Sequence, residues 1–296
     1  KLEKPVKTLF EGADTETYKK VTELSKDVNE LFTEISEDFT FLFVGQWTKG
    51  GYGEDRKDIA KMIKIFIEAF ANKKQQPALI LKTNGATTSI LDREECLEKI
   101  NAVKNLFPKD WKLPKIYLIH GEFTDVEMND LYNHPKVKSM ISFTHGEGFG
   151  RPLLEATMVG LPVIASGWSG QLDFLDSTKS ILISGELKEV PQSQHWENII
   201  ISESKWFNIS ENHAYQSLVS MFNDYEVYKS KANELMNENK KKFTLDKMSE
   251  ALATIIEETV PKPVSLKLPK LKLGTENKSS KIKLPNLSNT LTEGAQ

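Results

Sequence analysis

From Phe39 onward, short apolar runs alternate with longer segments of helical period. This is the pattern of βαβ units that share a mostly parallel sheet. Residues 39–44 (Phe-Thr-Phe-Leu-Phe-Val) predict the first strand. It ends at Gly45 and a polar loop, after which Ile59, Met62, Ile63, Phe66, Ile67 and Phe70 recur at three- and four-residue steps and mark the buried face of a helix. Residues 78–81 and 116–119 predict two more strands, separated by a charged helical stretch over 92–106. Thr124-Asp125-Val126-Glu127 has the form of a capping box that opens a helix through Tyr132. Residues 137–143, 161–165 and 181–183 complete a set of about six strands, each short enough for a buried parallel sheet. Past Ser210 the chain becomes helical and charged, with Leu218, Met221 and Phe222 on one face and a second helical segment over 248–256. Pro261 and Pro263 then end regular structure.

The chain has 296 residues, 39% apolar and 27% charged, which is ordinary for a globular protein. No run approaches the 18 apolar residues of a membrane span, and Lys1-Leu2-Glu3-Lys4-Pro5 does not resemble a signal peptide. A cytoplasmic protein is expected. Because the first residue is Lys rather than Met, sequence upstream of it is expected. Cys96, the one cysteine, cannot form an internal disulfide, and on a helical stretch it reads as an inert packed thiol. The net charge of −3 is unevenly spread: residues 261–296 hold seven lysines and two glutamates, leaving the body at −8. An acidic body argues against nucleic-acid binding, which needs clustered positive charge. The tail repeats Lys-Leu-Pro at 267–269 and 283–285 and predicts a disordered basic extension. It reads first as a solvated end, and alternatively as a weak contact for an anionic membrane surface, placing the protein peripherally there, or for an acidic protein.

The densest signal is Ser142-Phe143-Thr144-His145-Gly146-Glu147-Gly148-Phe149-Gly150-Arg151-Pro152-Leu153-Leu154-Glu155-Ala156, followed by Gly160-Leu161-Pro162-Val163-Ile164-Ala165. A strand runs into a glycine-rich turn and then a helix. Such a turn lets the backbone approach a ligand, and the new helix offers free amides and a positive dipole end to an anion such as a diphosphate. Alone this is weak, because many α/β proteins use glycines only to turn tightly. Two glutamates eight positions apart, Glu147 and Glu155, add carboxylates able to accept hydrogen bonds from sugar hydroxyls.

In the spacing of these glutamates, and in the run through Gly160-Leu161-Pro162-Val163, the chain resembles the retaining family 4 glycosyltransferases, the glycosyl transferases group 1 with the two-domain GT-B fold. The resemblance implies an α/β Rossmann-like parallel sheet flanked by helices, the C-terminal half of that fold, over residues 39–258. Residues 1–38 would be an interdomain segment or remnant of an N-terminal domain lying upstream, and 259–296 the basic tail. It implies transfer of a sugar from a nucleotide diphosphate sugar, with retention, to an acceptor that stays unidentified. Carried over, Glu155 would bind the ribose hydroxyls, while Glu147, as the catalytic residue, and the amides of Gly148, Phe149 and Gly150 would contact the sugar. Lys57 aligns with the family's diphosphate-binding lysine. Gln46 stands where the family has an arginine, so Arg56 or Lys49 would compensate. His145, Ser169 and Gly170 are lesser candidates. For each the plain structural reading stands beside the functional one: a histidine at a strand end, or a turn before a helix.

No Asp-x-Asp triplet, His-Cys cluster or calcium loop occurs, so neither a cofactor nor a metal is expected. Two rivals stay open. One is another enzyme on the same fold, such as an epimerase or phosphorylase. The other is a non-catalytic nucleotide-sugar-binding or assembly module acting through its tail.

Overall fold

The computed structural model describes residues 6–47 and 52–260. In chain order the elements are α1 (Lys26–Leu31), β1 (Thr40–Val44), α2 (Ile59–Phe70), β2 (Ala78–Lys82), α3 (Ile90–Lys104), β3 (Ile116–Ile119), α4 (Asp125–Asn133), β4 (Val137–Ser142), α5 (Arg151–Met158), β5 (Val163–Ser166), β6 (Ile181–Ile183), β7 (Gly185–Glu189), β8 (Lys205–Ile209), α6 (Glu211–Asn223), α7 (Tyr225–Lys242) and α8 (Leu245–Thr259). The described residues through Glu258 form one compact unit. Among the described residues no helix is long and apolar enough to cross a membrane.

Six strands pair in the order β3-β2-β1-β4-β5-β6, all parallel. The chain builds outward from β1 to β3, then returns to the centre with β4 and builds the other way. The reversal between β1 and β4 is the switch point where open α/β sheets leave a crevice at the carboxyl ends of their strands. The loops after β1 and β4 therefore stand side by side, although about ninety residues of sequence separate them.

Alternation along the central strand sorts the core into two layers. Phe41 and Phe43 face α2 and α6 with Phe66, Ile67, Leu79, Leu218 and Met221, whereas Leu42 faces the opposite layer with Val28, Leu131, Leu154 and Leu235. All are buried, and burying such a side chain contributes about 1.5–3 kcal/mol. The helical period over 59–70 thus appears as α2, lying on the sheet with Ile59, Met62, Ile63, Phe66, Ile67 and Phe70 inward. Cys96 is buried on α3, as a packed thiol.

The predicted strands appear in place, with boundary shifts of one or two residues in four of them: β1 begins at Thr40, β2 runs on to Lys82 and β5 to Ser166. The fifth begins at Val163 rather than residue 161, because Pro162 has no amide to give and contributes only its carbonyl, to Met140 N at 2.8 Å. The fourth ends at Ser142. The capping box is present in full, Thr124 and Glu127 each bonding the other's amide. The antiparallel hairpin β7–β8 was not anticipated, and α7 lay unseparated in a stretch read only as helical and charged. Upstream, residue 13 bridges to residue 244, and Gly12 sits so close that a Cβ would meet Thr244 O at 2.3 Å. The basic tail of residues 261–296 lies outside the described residues.

Candidate functional site

The glycine turn, residues 143–150, leaves β4 at the switch point. Gly150 has φ 95°, a left-handed conformation that glycine adopts without strain, and it opens α5 with no side-chain cap. Among the described residues, no acceptor is bonded to the amides of Gly148, Phe149 or Gly150. A Cβ placed on Gly148 would meet nothing within 4 Å, so the turn is open on that side. Beneath it lies a brace. Ser169 donates its hydroxyl to Glu147 O at 2.6 Å, and Gly170 N donates to the same oxygen at 3.1 Å. Gly170 must be glycine, since a Cβ there would stand 2.0 Å from Gly148 O. Ser169 has φ 77°, a strained conformation for a side-chain-bearing residue.

Two cations reach the turn from the β1–α2 loop. Lys57 Nζ lies 2.5 Å from Glu147 Oε1, and Arg56 Nη1 lies 3.3 Å from Glu147 Oε2 and 2.7 Å from Gly146 O. Lys57 and Glu147 are nearly buried, while Arg56 stays half exposed. Arg56, one of the two residues expected to compensate for Gln46, lies beside Glu147. Gln46 is exposed on the loop after β1, and Lys49 falls outside the described residues.

His145 is the clip that holds this cluster. Its amide donates to Arg56 O at 2.9 Å, its carbonyl accepts from Phe207 N at 3.1 Å, and its ring Nδ1 meets Phe207 O at 2.8 Å. The ring stacks on Trp206, with centroids 4.7 Å apart, and its Nε2 faces Asp58 Oδ2 at 3.5 Å. At 2% exposure the residue is enclosed by protein.

Glu155 lies on the next turn of α5, in a different setting. Tyr132 donates its hydroxyl to Oε2 at 3.1 Å, and Arg151 Nε approaches Oε1 at 3.2 Å. Burial raises this carboxyl to about 7, against the pull of Arg151 and the Tyr132 hydroxyl. Tyr18, bonded to Asp125 at 3.1 Å, closes the surround. Lys57, Arg56, Glu147, Ser169 and Gly170 are therefore brought together, while Glu155 stands apart with its own partners.

The sequence profile of the glycosyl transferases group 1 matches residues 33–205, more than half of the chain and the whole of the switch-point machinery. The chain belongs to this family. Among solved structures, it is similar to the C-terminal domain of the glycosyl transferase group 1 protein LpcC from Francisella tularensis, at 16% identity and TM-score 0.54, over 79% of this chain and 100% of that one. It is also similar to Anabaena HepE in complex with UDP and glucose, at 14% identity and TM-score 0.58, over 85% of this chain and 57% of that one. Sucrose-phosphate synthase from Thermosynechococcus elongatus matches at 15% identity and TM-score 0.58, over 84% of this chain and 51% of that one. The chain thus spans about half the length of these last two, and its sheet is the C-terminal half of a GT-B fold. Comparison with curated proteins by sequence found no match.

Several residues of this group 1 glycosyl transferase escaped the sequence reading. Tyr132, Tyr18 and Asp125 surround Glu155 but come from other elements, and no local spacing announces them. Lys82, at the end of β2, donates to Gly121 O at 2.6 Å and lies 4.7 Å over the Phe123 ring, and burial lowers its pKa. A lysine ending an otherwise apolar strand, Ala-Leu-Ile-Leu-Lys, was the available signal.

Proposed function

We propose that this domain binds the donor of a nucleotide-sugar-dependent glycosyl transfer that retains anomeric configuration. The observation that carries the reading is the open set of amides at Gly148, Phe149 and Gly150 on the uncapped N-terminus of α5, beside Lys57 and Arg56. Amides, a helix end and two cations are together suited to a diphosphate. In support, a fold neighbour, HepE, was crystallised with UDP and glucose.

In this reading the diphosphate enters against the turn and draws Lys57 and Arg56 partly away from Glu147, whose single carboxylate now pairs with both. Glu147, freed toward the sugar, positions the transferred ring. Cleavage of the bond between the anomeric carbon and the diphosphate oxygen leaves positive character on the ring and negative charge on the leaving group. Lys57, Arg56 and the α5 amides meet that charge, and no metal is invoked. Removing one such fixed electrostatic contact typically costs about 3–4 kcal/mol in the transition state. Glu155, held by Tyr132, accepts the ribose hydroxyls. Acceptor recognition falls to a second domain.

Calorimetry with UDP, UDP-glucose and glucose alone tests the donor site. The nucleotide and the nucleotide sugar should bind, more weakly in Lys57→Ala, and the free sugar should not. Absence of binding across a panel of nucleotide sugars would sink the reading. In an enzyme carrying both domains, nuclear magnetic resonance of the anomeric centre reports retention, and an inverted product would refute that part.

A further inference from the structure

One group of cations has no part in the donor site. A cavity of about 350 Å³ opens at the amino ends of β4 and β5, with Lys20, Lys138 and Lys229 in its lining beside His134, Tyr225 and Leu161. The glycine turn leaves the carboxyl end of β4, about 20 Å away along a six-residue strand. Among the described residues, no aspartate or glutamate lines this cavity, although the body of the chain carries −8.

The three ammonium groups have only neutral partners. Lys229 donates to Gly160 O at 2.9 Å and Lys20 to Asn233 Oδ1 at 2.6 Å, while Lys138 sits 5.3 Å over the Tyr225 ring. None of the three forms an ion pair among the described residues, whereas Lys57, Lys64 and Lys179 each do. An ammonium has three protons to give, so Lys20 and Lys229 each retain two and Lys138 all three. The eighteen-residue α7 begins at Tyr225 without a side-chain cap, adding a positive dipole end to the same wall.

The uncompensated charge shows on its neighbours. Burial, then Lys20 and Lys138, bring Lys229 down to about 8, and burial, then Lys136 and Lys138, bring His134 down to about 4. Glu226, the one acid acting on Lys229, only offsets this in part. A dianion in the cavity would relieve the repulsion among the lysines and take up their free protons.

We propose that this cavity binds a phosphoryl group, held by Lys20, Lys138 and Lys229 at the end of the sheet opposite the donor turn. Its volume exceeds that of a bare phosphate, and the aromatic and aliphatic wall of Tyr225, His134 and Leu161 suits the organic part of a phosphorylated small molecule or of a lipid headgroup.

The test uses the full 296-residue chain carrying Lys57→Ala, which blunts phosphate binding at the donor turn. Thermal unfolding is followed against inorganic phosphate, with ionic strength held constant by chloride. A saturable rise in Tm is expected. Lys138→Gln and Lys229→Gln should each raise the half-saturating concentration about tenfold, and Lys188→Gln on the exposed strand β7 should not. Lys138 has only the Tyr225 ring to lose, so its substitution keeps the fold intact even if the Gly160 contact of Lys229 matters for stability. An unchanged response in Lys138→Gln and Lys229→Gln, or a response equalled by chloride, overturns the proposal. Pelleting with phosphatidylcholine vesicles, with and without phosphatidic acid, separates the sources. Recruitment by phosphatidic acid that Lys138→Gln weakens assigns a headgroup, and a Lys138-dependent phosphate response without such recruitment assigns a soluble ligand.

Discussion

Of the loops that leave the carboxyl edge of the sheet and enter helices, the one after β2 and the one after β4 differ most plainly. The first closes on an anion of its own. Asp92 accepts from Gly85 N at 2.8 Å and Ala86 N at 2.9 Å, meets His120 Nε2 at 2.8 Å, and Ser89 caps α3. A Cβ on Gly85 would stand 2.5 Å from the Asp92 carboxylate, so glycine is needed to let that carboxylate in. The second loop has the same ingredients without the internal anion. Its amides at Gly148, Phe149 and Gly150 are unbonded among the described residues, its Gly148 faces open space, and its nearby carboxylate, Glu147, turns to Lys57 and Arg56 instead. Helices α3, α4 and α6 are capped by Ser89, Thr124 and Ser210, whereas α5, like α1, α2 and α7, has no side-chain cap. A loop that satisfies itself is structure. One that withholds its own acceptor while gathering cations is a place for an anionic ligand.

The contrast can be broken most decisively at Lys57. In an enzyme with both domains, Lys57→Ala should lower donor turnover by about 10²–10³-fold, read as the initial rate of nucleotide release. Near-wild-type rates would mean that the two loops do not differ in function. Glu155→Ala should weaken UDP affinity by about 1.5–3 kcal/mol, measured by calorimetry, because a ribose hydroxyl loses its charged acceptor.

The two glycines sharpen the comparison. Gly85→Ala crowds Asp92 and should destabilise the fold by about 1–3 kcal/mol with UDP affinity intact. Gly148→Ala should leave Tm nearly unchanged while weakening UDP binding, since its new methyl stands where a ligand would come. Asp92→Asn belongs with Gly85. Its carboxyl is held near 2 by His120 and the loop amides, below its ordinary 3.8, so the stability it adds is present above 3.8 and lost as pH falls toward 2. Urea titration between pH 2 and 6 should show that slope disappear in Asp92→Asn.

The smallest effect is a pH dependence at the open site. Glu155 titrates near 7 in the folded protein against an ordinary 4.5, so its contribution to folding is present below 4.5 and lost as pH rises through 7. The carboxylate form that accepts ribose hydroxyls gains population over the same interval. UDP affinity should rise up to about tenfold between pH 6 and 8, and Glu155→Gln should flatten the profile.

Much of this was legible in the residues. Alternating apolar runs and the helical spacing of residues 59–70 specify the parallel sheet and its covering helix, because each depends on neighbours within one turn or one strand. Thr124 and Glu127 announce their cap for the same reason. The hairpin β7–β8 was hidden because β7 is exposed along its whole length and has no apolar face to betray it. Glu147 and Glu155 were found by their spacing, yet that spacing says nothing of their different surroundings: one bridges two cations, the other is buried against a tyrosine from α4.

The sequence by itself determined the six strands of the parallel sheet, where the chain turns on glycine, and which family it joins. Only the tertiary structure decided that Lys57 and Arg56 face Glu147, that His145 clips the turn to β8, and that Lys20, Lys138 and Lys229 converge on a cavity without a carboxylate among its described lining residues. The reason is the strand order. Placing β4 beside β1 brings together loops ninety residues apart, and no periodicity within either loop encodes that distance.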